Sequence, residues 1–135
     1  MVFLMANLAC RSVTTNELVG TWVVAARSLD FVAPELQKPG GGFVLRADGT
    51  FEAHDMPSLF YVPDRFPARL ESGHGTWSLE RGEGRQYVDL TFTFIEKWNG
   101  SLPFGNVLFV SGNTLYYFAD SDSDSGRMIW FERKP

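Results

Sequence analysis

The sequence has little of the residue types on which many protein chemistries depend. Its 135 residues include one cysteine and two histidines. The lone Cys10 cannot form a disulfide within the chain, so the fold must rest on packing alone. No histidine stands beside a nucleophile in a recognisable catalytic pattern. We therefore expect a protein that is not an enzyme, has no catalytic residues and uses no cofactor.

Positive charge and long apolar runs are also scarce. The formal net charge is -4 and the sequence pI is about 5.1. Without a basic stripe to neutralise phosphates, a nucleic-acid partner is not expected. No stretch reaches the ~18 consecutive apolar residues that would predict a membrane-spanning helix.

Aromatic and aliphatic residues are plentiful. Hydrophobic residues make up 44% of the chain and aromatic residues 15%, including 12 phenylalanines. This composition and length predict one globular domain with a sizeable core. We place the domain at residues 18–135, preceded by a leader-like or disordered segment at residues 1–17.

Short apolar runs with a period of two, separated by turn residues, dominate the domain. This pattern is typical of antiparallel strands. Eight strands are predicted, at residues 19–28, 42–47, 50–55, 73–80, 86–95, 106–111, 114–118 and 128–134. Glycine, Asp and Asn between them suit tight hairpin turns. The predicted fold is all-β, an eight-stranded antiparallel up-and-down barrel, because closure buries the apolar face and removes both sheet edges.

Alternation along each strand divides the side chains into an inward and an outward set. The outward set is expected to be mostly polar. The inward set is expected to comprise Trp22, Val24, Ala26, Phe43, Leu45, Phe51, Ala53, Trp77, Leu79, Val88, Leu90, Phe92, Phe94, Ile129 and Phe131.

The tripeptide Gly-Thr-Trp occurs twice, at residues 20–22 and 75–77. At a strand entry, glycine permits a sharp bend while the large ring plugs a barrel end. The first copy resembles the G-x-W signature of lipocalins, and the strand count agrees with that family. The resemblance implies a lipocalin-like meander in which Arg133, near the end of the last strand, packs over Trp22 as a structural pair at the closed end.

The N-terminal stretch "MVFLMANLAC" resembles a bacterial lipobox, in which a cysteine follows small and apolar residues. This resemblance implies lipidation of Cys10 and a location in the cell envelope, in the periplasm or on an outer face. Secretion is the alternative if Cys10 carries no lipid. If the segment is not a signal, it packs on the barrel or is disordered, and the location is cytoplasmic.

The longest predicted connection, "MPSLFYVPDRFPARLESGHG", carries the first candidate site. A long loop in a compact domain is commonly functional. Its aromatic residues could cover a ligand or present a protein-binding surface, or they could cap the core. The predicted ligand-binding residues are Phe60, Tyr61 and Phe66 from this loop, with Phe51 and Phe92 from the inward set.

Two groups of residues have some, but not all, of the features of a cation site. Glu52, His54 and His74 could bind a metal if their strands met in register, but their period points them outward as surface residues. Asp120, Asp122 and Asp124 have the 1, 3, 5 spacing of a calcium loop. Glycine comes one position late and Phe131 stands where the loop requires glutamate, so we predict no metal site.

Two functions fit these observations. The first is a non-enzymatic lipocalin-like binding protein that holds a small hydrophobic molecule inside the barrel. The alternative is an envelope-anchored protein-interaction domain, an inhibitor or immunity-type protein, with a filled barrel. The many large inward side chains favour a filled interior.

Overall fold

A computed structural model describes residues 12–29, 41–57, 70–98, 102–118 and 128–135. Its eight strands are β1 (Gly20–Val24), β2 (Gly42–Leu45), β3 (Thr50–Pro57), β4 (Leu70–Gly82), β5 (Arg85–Ile95), β6 (Phe104–Ser111), β7 (Thr114–Phe118) and β8 (Met128–Arg133). A four-residue helix, α1 (Thr15–Leu18), precedes β1, and a 3-10 helix (Ala26–Leu29) follows it.

The eight strands form one closed barrel in chain order, each antiparallel to the next. β8 closes the sheet by pairing with β1, where Trp22 lies opposite Arg133. The predicted all-β up-and-down barrel is therefore confirmed. The predicted end of β1 and the inward assignment of Ala26 are wrong. β1 ends at Val24 rather than residue 28, because the chain turns into the 3-10 helix, and exposed Ala26 there does not face inward.

The barrel has two different ends. At the hairpin end, tight turns join β2 to β3, β4 to β5, and β6 to β7, and glycines with positive φ occupy them as expected, at Gly49, Gly84 and Gly112. The hydroxyl and the backbone N–H of Thr50 donate to the Asp48 carboxylate in the first of these turns, and these hydrogen bonds hold the pKa of that carboxyl below its usual value. At the loop end, the other strand connections are longer.

Helix α1 was not expected from the sequence. The Thr14 hydroxyl accepts a hydrogen bond from the Glu17 N–H, which is a typical helix N-cap. Leu18 at its end is buried. A helix of four residues spans about one turn, too short to give a periodic pattern.

Phe94 was predicted to face inward, but it faces outward. Phe94 is 49% exposed, whereas Phe92 and Ile95 are buried. The pairing of β4 with β5 shifts between His74 and Gly75, so Thr93 is an extra residue in β5. Such a bulge reverses the alternation beyond it, which turns Phe94 outward.

The glycines of the two Gly-Thr-Trp copies are required for different reasons. Gly20 has a φ of +142°, and a Cβ there would lie 2.8 Å from Nη1 of Arg133. A Cβ on Gly75 would lie 1.8 Å from the Thr91 carbonyl oxygen, at the place where the pairing of β4 with β5 shifts register. Gly75 also lies within β4, which begins at Leu70, so the second copy does not open a strand as the sequence suggested.

We predict that Gly75→Ala lowers the free energy of unfolding by at least about 2 kcal/mol, because the new Cβ forces two backbones apart. Gly82→Ala is the matched control in the same strand, since its nearest neighbour would be the Tyr87 ring at an ordinary 3.6 Å. Urea denaturation followed by tryptophan fluorescence measures both. Equal stability of the two variants would contradict this explanation of Gly75.

Candidate functional site

The barrel interior is densely occupied by large side chains. Among the described residues, the largest side chains that are less than 2% exposed are Phe43, Phe51, Phe92, Phe131, Leu45, Met56, Leu90, Leu108, Leu115 and Ile129. Phe51 and Phe92, predicted to contact a ligand, pack edge to face with ring centroids 5.0 Å apart. Phe43 and Phe131 make a similar contact at 4.9 Å. These aromatic pairs therefore already have partners within the protein core.

The interior becomes more polar toward the loop end. Glu71 is 1% exposed and Tyr117 is 4% exposed, and both belong to the inward-facing set of their strands. Glu71 pairs with the buried Met56 across β3 and β4. The predicted Phe60, Tyr61 and Phe66 lie outside the described residues.

The hairpin end is closed by Trp22 and its neighbours. The indole N–H of Trp22 donates to the Leu18 carbonyl at 3.0 Å, and this hydrogen bond holds the end of α1 against the barrel. The Arg133 guanidinium lies over the Trp22 ring, 4.7 Å from its centroid, and donates to the Val19 carbonyl at 2.9 Å. The contact expected between Trp22 and Arg133 is thus present. Trp77 at the same end donates to the Arg46 carbonyl at 2.8 Å.

The residues just before α1 are also held against the barrel. Val13 exchanges two hydrogen bonds with the Gln86 side chain, at 2.8 and 2.9 Å. Residues 12–17, which the sequence assigned to a leader-like segment, thus belong to the hairpin end. Cys10 lies outside the described residues, and its lipidation stays a prediction. Within the described part of the chain, no helix has the length and apolar character needed to cross a membrane.

The candidate cation sites gain no support. Glu52 and His54 face outward as expected, and His74 pairs with Glu52 across β3 and β4. The His74 ring stacks on Phe94, with centroids 5.2 Å apart. The described residues contain no group of three or more His, Cys, Asp and Glu side chains suited to hold a metal ion. Asp120, Asp122 and Asp124 lie outside the described residues.

The outer surface of β5 to β8 carries a set of aromatic side chains that sequence reasoning missed. Strand register pairs Tyr87 with Phe109, Phe109 with Tyr116, and Tyr116 with Trp130. These four residues and Phe118 alternate with buried neighbours, so their side chains face away from the core. We name the set Tyr87, Phe109, Tyr116, Phe118 and Trp130 the aromatic face.

The rings of the aromatic face contact one another without being fully covered. Tyr116 lies 4.8 Å from Trp130, 5.3 Å from Phe109 and 5.8 Å from Phe118, measured between ring centroids. All five residues are of intermediate exposure. Cross-strand aromatic pairs stabilise a sheet, but a continuous apolar surface of this kind also typically marks a binding site.

The expectation of a mostly polar outer surface is therefore wrong for this part of the barrel. A signal for it was present in the sequence. In "TLYYF", Leu115 and Tyr117 form the inward set, while Tyr116 and Phe118 form an equally apolar outward set. Apolar residues on both faces of a strand are typical of strands that are covered on both sides.

Charged residues border the aromatic face. The Arg85 guanidinium lies over the Phe109 ring, 5.2 Å from its centroid, at the border formed by β5. Glu132 is exposed at the opposite border, on β8. Next to Arg85, a groove of about 280 Å³ is lined by Tyr87, Phe109 and the β4–β5 hairpin. The surface thus combines stacked rings, a recess and charges of both signs.

Comparisons with protein-family models, curated proteins and solved structures gave no match.

We predict that Arg133→Ala lowers the free energy of unfolding by about 1 to 2 kcal/mol, because it removes a cation–π contact and a hydrogen bond to a backbone carbonyl. Lys134→Ala, at the neighbouring exposed position, is the control and is expected to be neutral. Urea denaturation measures the difference. A neutral Arg133→Ala variant would mean that the residue does not secure the closed end.

Proposed function

We propose that this protein is a non-enzymatic interaction domain that binds another polypeptide through the aromatic face. The observation that supports this proposal is the combination of a core filled with large side chains and an apolar outer surface on β5 to β8. Aromatic residues are the side chains that most commonly contribute large binding energies at protein interfaces. An envelope anchor through Cys10, if present, would hold such a domain near its partner.

The physical basis of the proposal is the cost of leaving this surface in water. Polar residues at the same outward positions would keep the strands paired and would be better solvated. Tyr116 and Phe118 instead expose apolar ring surface next to Trp130. Their rings are already held in place by mutual contacts, so binding costs little additional side-chain entropy.

The test is site-specific photo-crosslinking in cells that produce the protein naturally. A photoreactive phenylalanine analogue is placed at Tyr116 in one variant and at Thr76, an exposed outward position on β4, in the control. We expect the Tyr116 variant to give a discrete protein adduct that the Thr76 variant lacks. Adducts of equal yield at both positions, or none at either, would contradict the proposal.

A small-ligand binding protein is the second candidate, and the buried polar side chains of Glu71 and Tyr117 favour it. An inward carboxylate and a phenol near the loop end could orient a polar group of a mostly apolar molecule. This candidate places the ligand on the loop-end side of Phe51 and Phe92, since those rings pack against each other. Absence of a protein adduct together with a co-purifying small molecule in a native mass spectrum would favour this second candidate.

A further inference from the structure

We propose that the occupant of the aromatic face is a second copy of this chain, in a symmetric dimer. This inference rests on the proposed function, because it names the partner of the same surface. The inference rests on the order of the outward residues across β5 to β8. When one copy is placed against another by a twofold rotation, aromatic residues lie opposite aromatic residues and a positive charge lies opposite a negative one.

The rotation axis runs parallel to the strands, above the boundary between β6 and β7. Such a rotation keeps the height of each residue along the strands and exchanges left with right. β5 of one copy then faces β8 of the other, and β6 faces β7. A symmetric dimer repeats every such contact twice.

The aromatic residues match under this operation. Tyr87, Phe109, Tyr116 and Trp130 form one row across the four strands, as their pairing shows. Phe109 of one copy therefore faces Tyr116 of the other, and Tyr87 faces Trp130. The row itself holds only aromatic residues, with the Arg85 guanidinium over the Phe109 ring, so the centre of the interface is mostly apolar.

The charges at the borders match as well. Thr114 pairs with Ser111 on one side and with Glu132 on the other. Ser111, Thr114 and Glu132 thus form a second row beside the aromatic row. Arg85 precedes Tyr87 by two residues, so it belongs to this second row, at the opposite border. The twofold rotation consequently places Arg85 of each copy opposite Glu132 of the other. Asp89 lies at the β5 border on the other side of the aromatic row and is partly exposed.

The size of the surface sets the strength of the dimer. Four strands spaced about 4.8 Å apart, with aromatic residues in only two neighbouring rows, give a face smaller in area than the ~800 Å² per partner of a standard interface. A barrel surface also curves away at its borders. We therefore expect a weak dimer, with a concentration-dependent equilibrium rather than a permanent assembly.

Sedimentation velocity of the full chain from low micromolar concentration to about 1 mM tests the inference. We expect a reversible transition from monomer to dimer. Tyr116→Lys, which places a charge at the centre of the face, should abolish the transition over this range. Thr76→Lys adds the same charge on β4, outside the face, and should leave the transition unchanged.

Reversing the charges at the borders gives a sharper test, because it leaves the aromatic residues at the centre of the interface unchanged. Arg85→Glu should raise the Kd about 10-fold, because two attractive contacts become two repulsive ones. Glu132→Arg should have a similar effect, and the double variant should return the Kd to within about threefold of the original value. Circular dichroism confirms that each variant is folded.

A chain that stays monomeric throughout overturns the second-copy assignment. So does a dimer whose Kd is unchanged by Tyr116→Lys, or unchanged by each of the single reversals, Arg85→Glu and Glu132→Arg. The crosslinking experiment separates this failure from that of the proposed function. A Tyr116 adduct at twice the mass of the chain supports the dimer. An adduct of any other mass keeps the interaction domain but overturns the second copy, and no adduct at all removes the proposed function itself.

Discussion

Pairing of β1 with β8 is the constraint on which the rest of this structure depends. It turns an eight-stranded meander into a barrel without free edges, and it places Trp22 opposite Arg133 at the seam. Two hydrogen bonds extend the seam beyond β1. The Ala25 N–H donates to the Trp130 carbonyl at 2.8 Å, and the Trp130 N–H donates to the Ser28 hydroxyl at 2.6 Å. With one cysteine and therefore no internal disulfide, closure and core packing together hold the fold.

In the closed barrel, the two faces of a strand have different roles, one in stability and one at the outer surface. Inward residues such as Leu115 and Ile129 are fully buried and supply the stability of the domain. Outward residues on the same strands, such as Tyr116 and Trp130, contribute to cross-strand pairs but are not part of the core. The outer surface can therefore be adapted to a partner while the interior stays unchanged. This separation is the physical reason for placing the proposed function outside the barrel.

Period-two patterning was sufficient to predict the strand count, the chain order of the barrel and most of the inward set. It failed at Phe94, because the bulge at Thr93 depends on how β5 meets Gly75, and a period read along one strand does not contain that information. It missed α1, whose single turn is defined by the Thr14 cap. The aromatic face was missed because the predicted strand at residues 114–118 was not divided into an inward and an outward face, so Tyr116 and Phe118 were not recognised as surface residues. Only the register brings them beside Phe109 and Trp130.

The central claim is that the barrel is held by its filled interior and that the aromatic face is available for binding. The most direct measurement is the free energy of unfolding of a triple variant, Phe109→Thr, Tyr116→Thr and Phe118→Thr, beside Phe92→Ala in the core. The account predicts a folded triple variant that loses about 1 to 3 kcal/mol, the sum of a few cross-strand pairs. It predicts that the single core change costs as much or more, about 3 to 5 kcal/mol. A triple variant that fails to fold while Phe92→Ala remains stable would contradict it, because the outer rings would then be the structural core.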